Sequence, residues 1–208
     1  MGGPDAWWAR LLDPEEPGQP EVRTLVGVLS GEFPPRAVVD LPGARRPSDW
    51  LVAVRSDGRT GRVLTLDVRL PAAPLLWYVE VPEPHADPAA TTLVAFSDAR
   101  HADGTLLDDA AARALGVVGE HQVAALRWWP RRGLINQIYV APEHRRLGIA
   151  AKLGHAAFAL QRARGLPDLT ADGRRTDLGE RFREGLPAYA AWRLAPRTHR
   201  QPPMDGAA

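Results

Sequence analysis

The 208-residue chain has no cysteine, which removes disulfides, thiolate metal sites and cysteine nucleophiles together and leaves the redox compartment open. No run of eighteen apolar residues occurs, so no membrane-spanning helix is predicted. The opening Met1-Gly2-Gly3-Pro4-Asp5 has neither a basic n-region nor an apolar h-region, and a soluble, cytoplasmic protein is expected. Lysine is nearly missing: Lys152 stands alone against 25 arginines. With the many Ala, Gly and Pro, that bias matches a GC-rich bacterial genome, so no single arginine is informative by itself. Internal repeats and long low-complexity segments are also missing, so a repeat architecture is not expected.

What is present is a globular composition. Hydrophobic residues at 45% and charged ones at 25% support a real core and exclude wholesale disorder. Nineteen glycines and twenty prolines should punctuate many short elements. The net charge of +1 hides a polarity. Residues 1–144 hold 14 Arg against 19 acids, whereas Arg145–Arg200 holds 11 Arg and Lys152 against Asp168, Asp172, Asp177, Glu180 and Glu184. The C-terminal third is therefore a field for a polyanionic ligand.

Along the chain, Asp5–Asp13 has the spacing of a two-turn amphipathic helix, which would place Trp7-Trp8 as a staple or a partner contact. A proline-rich stretch follows, then a short apolar run at Leu25–Leu29 and a Pro- and Arg-rich loop to Pro47. Strands are predicted at Trp50–Arg55, Arg62–Leu70, Leu75–Val81, Thr92–Phe96, Gln122–Trp129 and Leu134–Val140. Adjacent tryptophans on a strand face opposite ways, so Trp128 and Trp129 should split between the core and the sheet surface or acceptor cleft. A short helix is predicted at Asp108–Leu115. The most regular element is Leu147–Arg164, where Leu147, Ala150, Leu153, Ala157, Leu160 and Ala163 form one apolar stripe, closed by Gly165. Pro167–Ala171 can be a short strand, and Thr176–Leu186 a helix N-capped by Thr176 or Asp177. The expected organisation is an N-terminal extension over residues 1–48, partly disordered, one domain over 49–195, and a flexible tail over 196–208.

One segment carries chemistry. The strand Leu134–Val140 runs through Ala141-Pro142-Glu143-His144 into Arg145-Arg146-Leu147-Gly148-Ile149-Ala150 and directly into the long helix. Such a turn gathers unpaired backbone N–H groups at the positive end of a helix dipole. Gly148 lets a ligand approach the backbone, Ala150 keeps the next turn small, and Arg145 and Arg146 add charge at the rim. That combination suits a diphosphate.

The string Val140-x-Pro142-Glu143-x-Arg145-Arg146-x-Gly148-Ile149-Ala150-x-x-Leu153 resembles motif A of the GNAT N-acetyltransferases, Q/R-x-x-G-x-G/A. The resemblance implies a mixed α/β (α+β) fold: a central, mostly antiparallel sheet with splayed strands, flanked by helices. It implies acetyl-CoA as cosubstrate; no metal is expected either, on the spacing of the histidines. By position, Ile138, Tyr139 and Val140 would line the acyl and pantetheine groove, and Arg145, Arg146, Leu147, Gly148, Ile149 and Ala150 would hold the pyrophosphate. The family's second helix often carries N-x-x-A-x-x-Y; here Thr176-x-x-Gly179-x-x-Phe182 keeps the spacing, but Phe182 has no proton for a leaving thiolate. Tyr189 or solvent could replace it. Arg174-Arg175 and Arg181/Arg183 are equally a 3′-phosphate contact or a solvated basic face.

Amine acetylation needs a neutral amine, so a proton acceptor is sought. Many relatives place an acid about where Asn136 or Gln137 stands; neither amide is a base, though either could hold a water or the substrate. Glu120 and His121, at the start of the neighbouring strand, are the nearest titratable groups, with a solvated pair as the plainer reading. His101 and His155 are expected at the surface, and His85, His144, His155 and His199 show no metal-ligand spacing. The implied function is transfer of an acetyl group from acetyl-CoA to an amine of a small molecule or protein by direct attack in a ternary complex. An alternative is a catalytically weak or inactive acyl-CoA-binding or protein-interaction module on the same fold, favoured by Asn136, Gln137 and Phe182. A nucleic-acid binder ranks below both, no membrane partner is expected, and the oligomeric state is left open, a homodimer included.

Overall fold

The computed structural model describes residues 6–12, 21–186, 188–191 and 193–202. Ten strands make two five-stranded sheets. In the first, β1 (Trp7–Leu12), β2 (Val22–Val28), β3 (Val38–Pro42), β4 (Trp50–Asp57) and β5 (Val63–Val68) lie in the order β3-β1-β2-β4-β5. In the second, β6 (Trp77–Glu83), β7 (Ala90–Phe96), β8 (Leu106–Asp108), β9 (Ala124–Trp129) and β10 (Leu134–Val140) lie in the order β10-β9-β7-β6-β8. Neighbours are antiparallel except β1–β3 and β6–β8. The sheets meet where Leu66 N–H donates to the Gly104 carbonyl (2.7 Å) and Tyr78 N–H to that of Thr105 (2.8 Å). The helices are α1 (Asp109–Ala114), α2 (Ile149–Ala163), α3 (Asp177–Glu184) and α4 (Ala188–Ala191), and a last strand pair joins β11 (Arg174–Arg175) to β12 (His199–Arg200). No described helix is long and apolar enough to cross a membrane.

The segment predicted as a helix over Asp5–Asp13 is instead strand β1. Its alternation sends Trp7, Ala9 and Leu11 into one cluster with Val26, Val28 and Ala53, and Trp8 into the main core on the other face. A strand buried on both faces near its start shows no polar alternation, so its apolar spacing imitates a helix.

The main core lies between the two sheets, and α2 fills it. Val52, Val54 and Leu66 from the first sheet and Leu93, Leu126 and Trp128 from the second close around Ile149, Leu153, Ala157 and Leu160. Burying each such Leu or Ile contributes about 1.5–3 kcal/mol. Polar side chains on α2 and at its C-terminal cap find partners in the sheets and loops around it. Gln161 accepts from the Trp128 indole (3.0 Å) and donates to the Pro130 and Pro167 carbonyls (2.6 and 2.9 Å), and Arg164 pairs twice with Glu80 (2.5 and 2.6 Å). A third cluster of Trp77, Val79, Phe96 and Ala112 covers the far face of the second sheet beneath α1. The result is a mixed α/β fold of mostly antiparallel sheets, with β10 at one outer edge running into α2.

Candidate active site

The β10–α2 connection begins with a tight turn at Pro142–His144, where His144 and Arg145 N–H groups donate back to Ala141 and Pro142 carbonyls (2.9 and 3.3 Å). Then the chain opens. Arg146 (φ 65°) and Gly148 (φ 75°) are both left-handed, and the amides of Arg146 through Ala151 have no acceptor among the described residues. The first amide to close a turn is that of Lys152, on the Gly148 carbonyl (3.0 Å). Gly148 caps α2 with no side-chain bond to any of these groups. Six adjacent donors at the positive end of a buried helix are the kind of group that an anion can satisfy.

This turn is held from above. A Cβ on Gly148 would sit 3.2 Å from the Ala73 Cβ, so glycine admits both the left-handed backbone and the loop over it. One turn on, Lys152, only 2% exposed, donates to the Pro74 carbonyl (2.9 Å) and both Asp103 carboxylate oxygens (2.8 and 2.9 Å). Asp103 also accepts Leu76 N–H (2.7 Å). The sole lysine therefore clamps the loop onto the first turn of α2.

Beside the turn, the outer edge of β10 pairs with no strand among the described residues beyond its first residues. At its start Ile135 N–H donates to the Thr170 carbonyl and Thr170 N–H to that of Gly133 (both 2.8 Å), but Leu134–Thr170 is the single bridge between the segments. That contact needs Gly133 (φ 59°), since a Cβ there would lie 2.4 Å from the Asp168 carbonyl oxygen. Farther along, the segments part. Ala141 N–H donates inward to the Val123 carbonyl (3.0 Å), so alternation turns the peptide groups of Val140 and Ile138 outward. Arg145 Nε takes the Val140 carbonyl (3.2 Å); the Ile138 peptide and Val140 N–H have no partner among the described residues. An apolar cleft runs alongside, lined by Ile135, Ile138, Ala151, Gly154, His155, Phe158, Phe182, Leu186, Ala190 and Leu194.

A β-bulge at Asn136 sets the faces of β10. Ile135 pairs with Trp128 and Gln137 with Arg127, so Asn136 is the extra residue. Ile135 and Ile138 consequently both face the core although they are three apart. On the opposite face a polar row crosses four strands. Arg127 donates from Nε and Nη2 to Glu83 (2.9–3.1 Å) and from Nη1 to Asn136 Oδ1 (2.9 Å), and Thr92 donates to Glu83 (2.8 Å). The Arg127 bonds, then that of Thr92, hold the Glu83 carboxyl below its usual range, and Glu83 raises Arg127 in return.

The residues named from sequence fall in three places. Arg145 to Ala150 form the turn, with Ile138 and Val140 on the adjoining edge and Tyr139 on the outer face. Phe182 lines the cleft from α3, whose N-cap is Thr176: its hydroxyl accepts Gly179 N–H (3.0 Å). Glu120 and His121 are exposed in a turn just before β9, at the Val140 end of β10. Asn136 is about 15 Å away at roughly 3.4 Å per residue, so these three are not gathered into one constellation. The backbone of Tyr189 belongs to α4, and its side chain lies outside what is described. His155, expected at the surface, is 9% exposed and lines the cleft. Burial first, then the Arg193 charge, pulls its imidazole down to about 4, so it is neutral at pH 7. Glu83, Thr92 and Arg127 had no sequence signal, because their meeting depends on strand register.

The model of the acetyltransferase (GNAT) family matches residues 72–178, just over half of the chain, from the loop above Gly148 to the start of α3. No curated protein and no solved structure matches. The matched span contains the open edge, the bulge and the unpartnered amides, and on it the chain belongs to the acetyltransferase (GNAT) family, with a function of the acyltransferase type.

Proposed function

We propose that the protein is an N-acetyltransferase that moves an acetyl group from acetyl-CoA to an amine within a ternary complex. The observation that carries this is the row of amides from Arg146 to Ala151, with no acceptor among the described residues, at the end of a strand edge that no described strand covers. Those amides hold the pyrophosphate, and Arg145 and Arg146 hold its rim. The outward peptide groups of Ile138 and Val140 pair with the pantetheine arm and polarise the thioester carbonyl as the amine attacks, a role for preorganised N–H donors. The amine nitrogen bonds the carbonyl carbon, the C–S bond breaks, and the nitrogen's proton and the thiolate's proton are exchanged with solvent at the open face.

A second reading, coenzyme binding without turnover, is favoured by the cleft itself. Among its lining residues the one titratable side chain is His155, and Phe182 offers no proton. Calorimetry with CoA and thiol release over an amine panel separate the two. Binding with amine-dependent thiol release supports the transferase; binding with no release on any amine supports the module. The common ground fails if wild type does not bind CoA, or if Gly148→Glu, which brings a carboxylate and backbone strain into the turn, binds as well as wild type.

A further inference from the structure

The coenzyme reading leaves the acceptor unassigned, and the two faces of β10 differ in what they can admit. The face toward α2 is core: Ile135, Ile138 and Val140 pack there. The cleft on that side is apolar, with His155 its one titratable lining group, so it suits the acyl arm better than a polar acceptor, and the amine is assigned to the opposite face, which carries Asn136, Arg127, Thr92 and Glu83. Arginine has donors only, so the Asn136 amide must turn its oxygen to Arg127 and its NH2 away. Asn136 is exposed, and its Nδ2 has no partner among the described residues. Glu83 cannot compete for this position, because its oxygens already take the Nε and Nη2 bonds of Arg127 and the Thr92 hydroxyl. What the bulge presents beside the thioester's place is thus a fixed hydrogen-bond donor backed by a guanidinium, and not a carboxylate.

Resting on the coenzyme reading, we infer that Asn136 and Arg127 form an acceptor subsite for an oxygen next to the reacting nitrogen, so the acceptor is an α-amino acid, its amide or a peptide N-terminus. Asn136 touches the acceptor's carbonyl or carboxylate. Arg127 and Glu83 are positioning residues that set which end of the Asn136 amide faces out.

The test uses two bisubstrate analogues, with the CoA sulfur joined through an acetyl bridge to the nitrogen of alaninamide or of isopropylamine, where a methyl replaces the carboxamide. Calorimetry on the full chain should find the alaninamide conjugate about tenfold tighter, the worth of one well-made hydrogen bond. That ratio should fall to about one in Asn136→Ala and in Arg127→Met, a change in selectivity that loss of folded protein alone does not produce. Equal binding by wild type, or the ratio kept in Asn136→Ala, overturns the subsite and leaves the coenzyme reading standing. No binding of either conjugate overturns both.

Discussion

Proline at position 150 separates the role of one backbone amide from everything around it. Ala150 is the second residue of α2, where a missing N–H breaks no helical bond, since the first amide in use is that of Lys152. Its side chain is only half-buried, unlike that of Ile149. Ala150→Pro therefore removes one donor from the turn without removing a hydrogen bond from the free protein. A charge-assisted hydrogen bond contributes about 1.5–3 kcal/mol. At about 1.4 kcal/mol per tenfold, CoA affinity should fall roughly ten- to hundredfold. Calorimetry with CoA gives the loss, and pantetheine, which lacks the pyrophosphate, gives the control: its affinity should hold. Thermal unfolding of the free variant checks that the fold survives. Unchanged CoA affinity in a folded variant would refute the amide receptor, and equal losses for CoA and pantetheine would show a displaced helix instead.

Three other outcomes follow from the same geometry. Gly148→Ala forces a left-handed alanine and pushes on Ala73, so denaturant unfolding should show a cost of about 1–2 kcal/mol, with a smaller loss of CoA affinity than Ala150→Pro because every amide remains. His155 is neutral in the fold with a pKa of about 4, against 6.5 when free. Its folded value is depressed, so its contribution is complete above pH 6.5, declines as the pH falls, and is gone below about pH 4, a loss of about 3 kcal/mol. His155→Leu should lack that share of the slope in urea titrations at pH 7, 6, 5 and 4, and curves parallel to wild type would contradict the burial. Lys152→Met leaves Asp103 without its cation at the base of the loop, and unfolding should reveal a loss of about 3–5 kcal/mol. A change below 1 kcal/mol would mean that the clamp is dispensable.

The strand–turn–helix from Leu134 to Ala163 was legible because its apolar pattern is strong and its glycine sits where the helix must start. The strands β4 to β7 and β9 were also readable, each from apolar residues between turn signals, whereas their order in the sheets was not. The N-terminal strands were not. In β1 both faces meet apolar partners, which erases the two-residue period, and β3 lies within a proline- and arginine-rich stretch. Lys152 and His155 were hidden for a related reason: α2 is enclosed by two sheets, so residues off its predicted stripe are buried as well. The row Glu83–Thr92–Arg127–Asn136 joins positions up to 53 residues apart through strand register and one bulge, neither of which leaves a local mark in sequence.

The clamp at Lys152 has a practical corollary. The chain's single ε-amino group is enclosed and committed to Asp103. A transferase built this way offers its own active centre no lysine to modify, so acetyl label that stays on the protein during an assay would have to sit at its N-terminus or at oxygen and imidazole nucleophiles. Amine-directed reagents would be left with the α-amino group alone, so only that one amine has to be accounted for when the modification of added amines is read.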